Sequence, residues 1–562
     1  MCHDQYIDPS SIQATIHKIV RRTTYRLPRV LIDTATGRLC ERAQQASAFE
    51  SLPIFKELVS SMTTRIDYVW IKREVRWYFQ YVMLSHKWEP DEPLFQHTEQ
   101  ISVYDLDKSP TNYKLQTFCK IVRDAGFNWA WSDTCCINKL DHRGLEEALV
   151  TMFKWYEGAA MTIVFLRGVR SSSLRGALAG SIWNTRSWTL QEFIASKVIR
   201  FYTEDWTLYL NLELLNHKES PEIIAEMEEA TGVSAKQLMA LCPGSSSARE
   251  KLRLASTRQT TLVEDAAYSL LGIFSVQIPP IYGEQEGSLG RLLAHVLTES
   301  GDMSVLAWTG ESGSYNSCLP AHITVFNQPA TSHLPPPISD AEMERMIPTS
   351  HSPSSGLDVA QRLYLRLDQL SAPWFAAIRM KLPCIAFQLP PFSEVRRTRF
   401  GRIYRVDTIA FGTVEITTRQ DLSRMHTLYL VHPWLDTLLE RENTQSNPTT
   451  QEGVASSRSP NTDDDRISDE EGDDASFLAS VPEAPSIPVT VRTVPMDKDT
   501  RARRLVARLR QPFGALLLTL ASEGRRGMDY RRVAADSLIT VQIQESVSLT
   551  DILDNVRTFD IL

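Results

Sequence analysis

The run YVMLSHKW at residues 81–88 is the first of four apolar segments that decide the fold of this 562-residue chain. The other three are NWAWSDTCCI at 128–137, MTIVFL at 161–166 and KVIRFYTEDW at 197–206. Two segments with helical periodicity, 114–126 and 144–159, separate the first three strands. Strands that alternate with helices indicate a parallel sheet covered by helices. We therefore predict an α/β fold with a doubly wound parallel sheet and helical additions.

The first predicted helix has an apolar face that should pack on this sheet. Its stripe, with spacing i, i+3, i+4 and i+7, consists of Leu115, Phe118, Cys119 and Val122. Because Cys119 lies inside the stripe, we expect its thiol to be buried rather than reactive. We also expect burial for Cys135 and Cys136, since adjacent cysteines form a disulfide only in a strained turn.

Polar side chains follow the predicted strands, at the sheet edge where parallel folds bind their ligands. They are Ser85, His86 and Lys87 after the first strand, Asp133 in the second, and Arg186, Trp188 and Glu192 after the third. Ser85 and His86 can hydrogen-bond a ligand's hydroxyls or phosphate, and Lys87 can supply positive charge. Two alternatives stay open: a structural role for His86 in the turn, and a role for Asp133 in holding neighbouring cations in place.

The composition indicates a folded chain without the charge of a nucleic-acid binder. With 43% hydrophobic residues and a net charge of −8, it can bury large cores and is a poor candidate for general nucleic-acid binding. Its eight cysteines have no CxxC spacing, so they give no pattern for a structural zinc site. MCHDQYIDPS lacks the apolar core of a signal peptide, and FGALLLTLA is too short to span a bilayer. We therefore expect a cytoplasmic protein with no membrane span.

Changes in composition predict four regions along the chain. Residues 1–80 form an N-terminal extension packed on the main domain, and residues 81–323 form the α/β domain with a helical second half. Residues 324–356 are rich in Pro and Ser and are typical of a linker. Residues 357–562 are predicted to be a β-rich domain with a disordered acidic loop at 442–486.

Smaller patterns in the second half of the chain carry three further expectations. Thr261 and Glu264 fit a capping box that opens a helix. LYLRL at 363–367 alternates as a strand does. Two basic clusters are either solvated faces or contacts for phosphate or an acidic partner. They are Arg396, Arg397, Arg399 and Arg402, and Arg501, Arg503, Arg504, Arg508 and Arg510.

Three blocks in order, YVMLSHKW, WSDTCCIN and TRSWTLQE, resemble the fungal heterokaryon-incompatibility (HET) domain. STRQTTLVEDAAYSLLGIF and IPPIYGE look like the second half of the same family's region. Membership implies a role in self/non-self recognition or in a regulated cell-death response. The chain departs from the usual family pattern at Lys87, Glu89 and Asn138-Lys139, where the family commonly has Arg, Gly and Asp-Gln.

The segment SWTLQEF is similar to the serine–tryptophan–x–x–x–glutamate block of TIR domains. This resemblance implies a TIR-like or flavodoxin-like doubly wound sheet. It also places Glu192 at the glutamate that is catalytic in TIR enzymes, which split NAD into nicotinamide and an ADP-ribose product. A carboxylate near the ribose can stabilise oxocarbenium-like charge, and Trp188 can shape the pocket. The alternative is that Glu192 pairs with Arg186 or caps a neighbour, and that Trp188 belongs to the core.

The resemblances lead to two functional hypotheses from different classes. The first is an NAD glycohydrolase with NAD as substrate and no bound cofactor or metal. Glu192 would be its catalytic residue, although no P-loop, GxGxxG, HExxH or GxSxG motif occurs. The second is a signalling module that forms a homo-oligomer or binds an unidentified protein partner without turnover. A weaker third hypothesis, a scaffold with a decayed site, rests on Lys87, Glu89 and Asn138.

Overall fold

The computed structural model describes residues 7–173, 175–235, 238, 247–327, 355–399, 401–425, 427–433, 498–524 and 527–562. The acidic segment 442–486 and the greater part of the Pro/Ser-rich segment 324–356 lie outside the described residues. The described helices and strands form an α/β part before residue 328 and a β-rich part after residue 354.

A six-stranded sheet forms the centre of the α/β part. Its strands are β1 (Val30–Asp33), β2 (Leu39–Glu41), β3 (Tyr81–His86), β4 (Trp129–Ser132), β5 (Met161–Leu166) and β6 (Ile199–Thr203). The order across the sheet is β2-β1-β4-β3-β5-β6. The last four strands of this order are parallel, and β1 pairs antiparallel with both β2 and β4. The predicted parallel sheet is confirmed, and residues before 81 add an antiparallel edge to it.

Helices cover this sheet. All six residues of β3 and of β5 are buried, which requires cover on both faces. The helices of this part are α1 (Pro9–Arg26), α2 (Arg42–Glu50), α3 (Pro53–Ser61), α4 (Tyr68–Tyr78), α5 (Phe95–Thr98), α6 (Pro110–Asp124), α7 (His142–Gly158), α8 (Ile182–Thr185), α9 (Trp188–Ala195), α10 (Pro221–Thr231), α11 (Ala248–Ser256), α12 (Asp265–Tyr268), α13 (Leu271–Phe274) and α14 (Gly287–Ser300). In the described part of the chain, no helix is both long and apolar enough to cross a lipid bilayer.

Helix α6 forms where the apolar stripe predicted it. The Ser109 hydroxyl accepts the backbone N–H of Asn112 at 3.1 Å, and Pro110 occupies the first helical position, so the start of the helix is capped. The predicted stripe is buried. Cys119 within it is fully buried, and burial raises the pKa of its thiol well above the usual value. The predicted burial of the three cysteines at 119, 135 and 136 is confirmed.

The predicted capping box is wrong. Helix α12 begins at Asp265, and the residue that precedes it, Glu264, makes no side-chain capping bond. Instead the Glu264 carboxylate accepts the backbone N–H groups of Gly283 at 2.8 Å and Gln285 at 3.0 Å. These bonds hold the 279–285 loop against the start of α12, so the acidic side chain serves a distant loop rather than its own helix.

The C-terminal part is rich in β structure and contains a closed barrel. Its strands are β7 (Trp374–Ala376), β8 (Arg379–Gln388), β9 (Ser393–Arg397), β10 (Arg402–Thr408), β11 (Gly412–Thr418), β12 (Leu428–Pro433), β13 (Phe513–Gly524), β14 (Gly527–Arg532), β15 (Ile539–Val541) and β16 (Val556–Ile561). Strands β12, β13, β14, β16 and β8 pair in this order, and pairing of β8 with β12 closes the ring. Strands β9, β10 and β11 form a separate antiparallel sheet. The β-rich character predicted for this region is confirmed.

LYLRL does not form the predicted strand. It belongs to helix α15 (Ser355–Asp368), which packs against α16 (Lys498–Leu509), and a third helix, α17 (Leu549–Asp554), lies nearby. Ala360, Leu363 and Leu367 are buried at spacings of three and four, which is one face of a helix. The alternation of leucines suggested a strand because the five-residue run is too short to distinguish the two periods.

The barrel docks on the α/β part through buried polar bonds as well as apolar contact. Arg532 of β14 donates to the carbonyl oxygens of Leu306 at 2.8 Å and Trp308 at 2.7 Å. The Asn316 amide donates to the carbonyl oxygen of Ile561 on β16 at 2.9 Å. Apolar residues of both parts belong to one continuous core, so the two parts are packed as one body rather than joined by a chain alone.

Gly272 in α13 provides a test of the packing between α13 and α7. An added Cβ at this position would lie 2.1 Å from the Cβ of Phe153. We expect Gly272→Ala to lower the free energy of unfolding by about 1–3 kcal/mol because of this overlap, although Ala is the better helix former. Urea unfolding of the full chain, followed by circular dichroism, measures the change.

The matched control for this test is Gly180→Ala, where the nearest atom to an added Cβ lies 3.8 Å away. We expect its unfolding midpoint to stay close to that of the wild type. A Gly272→Ala variant that is as stable as the Gly180→Ala variant would contradict the close approach of α13 to α7.

Candidate functional site

Strand β3 ends in the two residues around which the predicted site is built. Ser85 and His86 are its last residues, and their side chains project to opposite faces of the sheet because side chains of a strand alternate. Ser85 faces α8 and α9, whereas His86 faces the 89–92 turn and α6. The structure therefore divides the predicted residues into two groups at one edge of the sheet.

The first group is built on Ser85. Its hydroxyl accepts the indole N–H of Trp183 at 2.7 Å and donates to the carboxyl group of Glu192. All three side chains are buried, and Glu192 is only 5% exposed. Helix α9 begins at Trp188, so Glu192 lies one turn further along and points back to the strand. The short TRSWTLQE segment thereby connects two helices to the sheet's central strand.

Burial determines the protonation of Glu192. Removal from water raises its pKa to about 8, and the charge of Asp133 acts in the same direction. The Ser85 hydrogen bond and the charges of Arg186 and Arg258 act against this rise. At pH 7 the carboxyl group is therefore mainly neutral, and an additional positive charge nearby would favour its ionised form.

Arg258 is a buried cation of this group that the sequence patterns did not single out. Its guanidinium donates to the carbonyl oxygen of Arg186, to Thr189 Oγ1 and to Asn184 Oδ1, each at 2.9 Å. Burial lowers its pKa to about 10, and the Glu192 charge opposes that change. The available sequence signal was its place in STRQTTLV, a block quoted only for family resemblance.

Asp133 lies between the two groups. Strand β4 ends at Ser132, so Asp133 begins the turn after the strand rather than ending the strand itself. One carboxylate oxygen accepts the indole N–H of Trp88 at 2.6 Å, and the other is buried without a hydrogen-bond partner among the described residues. Burial raises its pKa to about 6, although Trp88, Lys139 and Arg186 act to lower it.

His86 belongs to the second group, a buried network of opposite charges. Its Nε2 lies 3.6 Å from a carboxylate oxygen of Glu92, and neither ring nitrogen has a hydrogen-bond partner in the described part of the chain. Glu92 forms an ion pair with Lys114, and the ammonium nitrogen of Lys114 also lies 3.5 Å from a carboxylate oxygen of Glu89. Burial lowers the pKa of His86 well below its usual value, and the charge of Lys114 adds to this effect. The imidazole is therefore neutral at physiological pH.

The departures from the family pattern have local partners. Glu89 pairs with Arg167 at 3.1 Å as well as with Lys114, so its carboxylate belongs to the buried network beside His86. The ammonium group of Lys139 lies 3.4 Å from the centre of the Trp88 ring, which is the geometry of a cation–π contact. The sequence pattern alone does not reveal either partnership.

The remaining predicted residues lie at the margins of the two groups. Arg186 is half-buried, and its charge acts on the pKa values of Glu192, Asp133 and His86. The side chain of Trp188 is also half-buried, and it acts to lower the pKa of Asp265, which burial raises. Lys87 follows β3 and is half-buried. The structure thus brings Ser85, Glu192, Asp133 and Arg186 into one electrostatic group, and leaves His86 on the other face of the sheet.

Comparison with known proteins finds a family match at this edge of the sheet. A family model described as "Heterokaryon incompatibility protein (HET)" matches residues 81–179, which contain Ser85, His86 and Asp133. Arg186, Trp188 and Glu192 follow the matched range. No solved structure matches the chain. The β3–β5 unit therefore carries both the match to this family and most of the predicted site residues.

The chain is also similar to a curated protein, "Vegetative incompatibility protein HET-E-1" of Podospora anserina. The two are 34% identical over 244 residues, which cover 41% of this chain and 17% of the relative. The similarity therefore concerns a segment of domain size, and the present chain spans about one sixth of the length of that protein.

The raised pKa of Glu192 predicts a pH-dependent effect of Glu192→Gln on stability. The folded protein keeps this proton up to about pH 8, whereas an unfolded chain loses it near the usual value of 4.5. Wild-type stability therefore falls, relative to the neutral glutamine variant, as pH rises from 4.5 to 8. We expect the free energy of unfolding of Glu192→Gln, relative to that of the wild type, to rise by on the order of 2–4 kcal/mol between pH 5 and pH 8.

Urea unfolding of the full chain at pH 5, 6.5 and 8 measures this gain. Gln keeps an oxygen that accepts the Ser85 hydrogen bond, so the comparison isolates the proton. Glu229→Gln, at an exposed position of α10, is the control and should shift stability equally at all three pH values. A pH-independent difference for Glu192→Gln would contradict a buried, neutral carboxyl group.

Proposed function

We propose that this protein acts in heterokaryon incompatibility, the self/non-self response that leads to regulated cell death. The family match over residues 81–179 supports this role, as does the similarity to a relative whose name describes vegetative incompatibility. The role of the whole protein rests on a shared domain, because the chain spans 17% of that relative.

At the chemical level we propose that the domain splits NAD, with Glu192 as the catalytic residue. The order of the parallel strands, β4-β3-β5-β6, supports a TIR-like or flavodoxin-like arrangement. In this order the chain reverses direction across β3, and ligands of doubly wound sheets bind at the carboxyl end of the strands at such a reversal. Ser85 and Asp133 lie at this position.

One observation carries the proposal: at the strand reversal, the charge of the half-buried Asp133 acts on the buried carboxyl group of Glu192 and raises its pKa. One Asp133 oxygen has no hydrogen-bond partner among the described residues, and buried polar atoms are usually bonded. A ribose hydroxyl can supply the missing hydrogen. Pairs of carboxyl groups with shifted pKa values are characteristic of sites that cleave glycosidic bonds.

The proposed reaction breaks the bond between the ribose carbon and the nicotinamide nitrogen. Nicotinamide leaves as a neutral molecule with the bonding electron pair, and the positive charge passes to the ribosyl group. Ionised Glu192 stabilises that charge, while the cationic ring of bound NAD favours its ionisation beforehand. Water then adds to the ribosyl carbon and a proton leaves. The products are nicotinamide, ADP-ribose and H⁺.

Nicotinamide release by the full-length protein tests this reaction. We expect Glu192→Gln to lower the rate at least about 100-fold, because the variant cannot carry the stabilising charge. Glu229→Gln should keep the wild-type rate, since this residue is exposed on α10. Wild-type protein that releases no nicotinamide, or a Glu192→Gln variant with unchanged turnover, would contradict the proposed chemistry.

The burial of Glu192 favours a second candidate function, a signalling module without turnover. The carboxyl group is 5% exposed and its hydrogen bond is made within the protein, as in a purely structural group. In this case the domain acts by self-association or by binding a protein partner. Light scattering over a range of concentrations, together with a viability assay on expression, distinguishes the two candidates.

For the signalling module we expect concentration-dependent oligomers and cell death that persists in Glu192→Gln. For the NAD-splitting enzyme we expect this variant to lose both nicotinamide release and toxicity. Loss of toxicity with unchanged oligomers would contradict the second candidate, and retained toxicity without turnover would contradict the first.

A further inference from the structure

A cavity of about 130 Å³ lies between the α/β part and the barrel. We call it the interdomain cavity. The α/β part contributes residues 300–304 and 306–308, and the barrel contributes residues 512–517 and much of the segment 532–539. Its volume is comparable to that of cavities that hold a benzene-sized molecule. No residue of the candidate site lines it, so its chemistry is separate from the proposed function.

The charged side chains of the interdomain cavity are mainly cationic. Arg508 of α16 and Arg532 of β14 line it, and both are buried. Asp302 is the acidic residue among the described lining residues. Its two carboxylate oxygens accept the backbone N–H groups of Ser304 at 3.0 Å and Ala248 at 2.7 Å. The carboxylate of Asp302 is therefore bonded to the backbone of these two segments.

Arg532 is held by groups that satisfy its N–H donors but do not neutralise its charge. Two are the carbonyl oxygens of Leu306 and Trp308, at 2.8 and 2.7 Å. The guanidinium carbon also lies 3.8 Å from the centre of the Trp308 ring. No carboxylate of the described residues forms an ion pair with it, and burial lowers its pKa to about 10. A buried cation in this situation is stabilised by any anion that enters beside it.

The walls between the two arginines are aromatic and apolar. The rings of Trp308 and Phe513 line the cavity, and the Phe513 ring stacks on His432 at a centroid distance of 4.0 Å. Burial lowers the pKa of His432 to about 3, so this imidazole is neutral and adds flat surface rather than charge. Such walls bind the body of a small planar molecule, while the arginines bind its charged group.

We propose that the interdomain cavity binds a small organic anion whose carboxylate or phosphate pairs with Arg508 and Arg532 and whose apolar body packs against Trp308 and Phe513. The bound anion contacts the α/β part and the barrel at once. It therefore stabilises the docking of one part on the other, since a ligand that binds only the docked form shifts the equilibrium towards it.

Isothermal titration of the full-length protein with benzoate and with phenyl phosphate tests the proposal. We expect saturable binding of at least one anion with a Kd on the order of 0.1–1 mM, as befits a ligand of this size. The two anions distinguish a carboxylate from a phosphate. Benzamidine, a cation of the same shape, is the charge control and should not bind. Absence of binding by both anions, or equal binding of benzamidine, would overturn the proposal.

Three variants locate the binding. Arg508→Gln should weaken the affinity about tenfold, the usual effect of losing one charge-assisted hydrogen bond. Arg503→Gln, the same change on the same helix at a position that does not line the cavity, should leave the affinity unchanged. Ala307→Leu fills the cavity and keeps both arginines, so it tests the site even where Arg508→Gln does not fold. Retained affinity in a folded Ala307→Leu variant would place the anion elsewhere and overturn the assignment.

Discussion

The hydrogen bond between Ser85 and the carboxyl group of Glu192 is the contact on which the site depends. It joins Ser85, near the end of β3, to helix α9, which lies more than one hundred residues further along the chain. Burial of Glu192 keeps a proton on its carboxyl group at neutral pH, although the bond to Ser85 acts to lower the pKa. Both candidate functions use this fact: an enzyme must ionise the group on binding its substrate, and a signalling module keeps it neutral.

Buried charge is balanced differently on the two faces of the sheet. On the face that carries His86, an ion pair forms between Glu92 and Lys114, so the charges of these two side chains balance each other. Beside Glu192, the cation Arg258 bonds three oxygen atoms that are neutral. This second face is therefore the one where another charged or hydroxyl-bearing molecule gains most from entering. The departures from the family pattern at Glu89 and Lys139 affect the turns around the site rather than the Ser85–Glu192 bond.

A buried cation also lies where the barrel packs on the α/β part. Arg532 reaches from β14 into the α/β part and bonds backbone carbonyl oxygens there. Docking therefore buries a cation at the boundary of the two parts, next to the interdomain cavity. The α/β part and the barrel share one apolar core.

The sequence by itself determined the alternation of strands and helices, the buried stripe of α6 and the family blocks that carry Ser85, Asp133 and Glu192. These features depend on neighbours within one or two turns, which local patterns record. Only the tertiary structure decided that His86 and Glu192 face opposite sides of the sheet, that Arg258 lies beside α9, and that LYLRL is helical. Arg258 and Arg186 are 72 residues apart, and LYLRL is helical because its Leu363 and Leu367 are buried in one core cluster with Leu505 and Leu509 of α16. Contacts over such separations arise only when the chain is folded, since no local period encodes them.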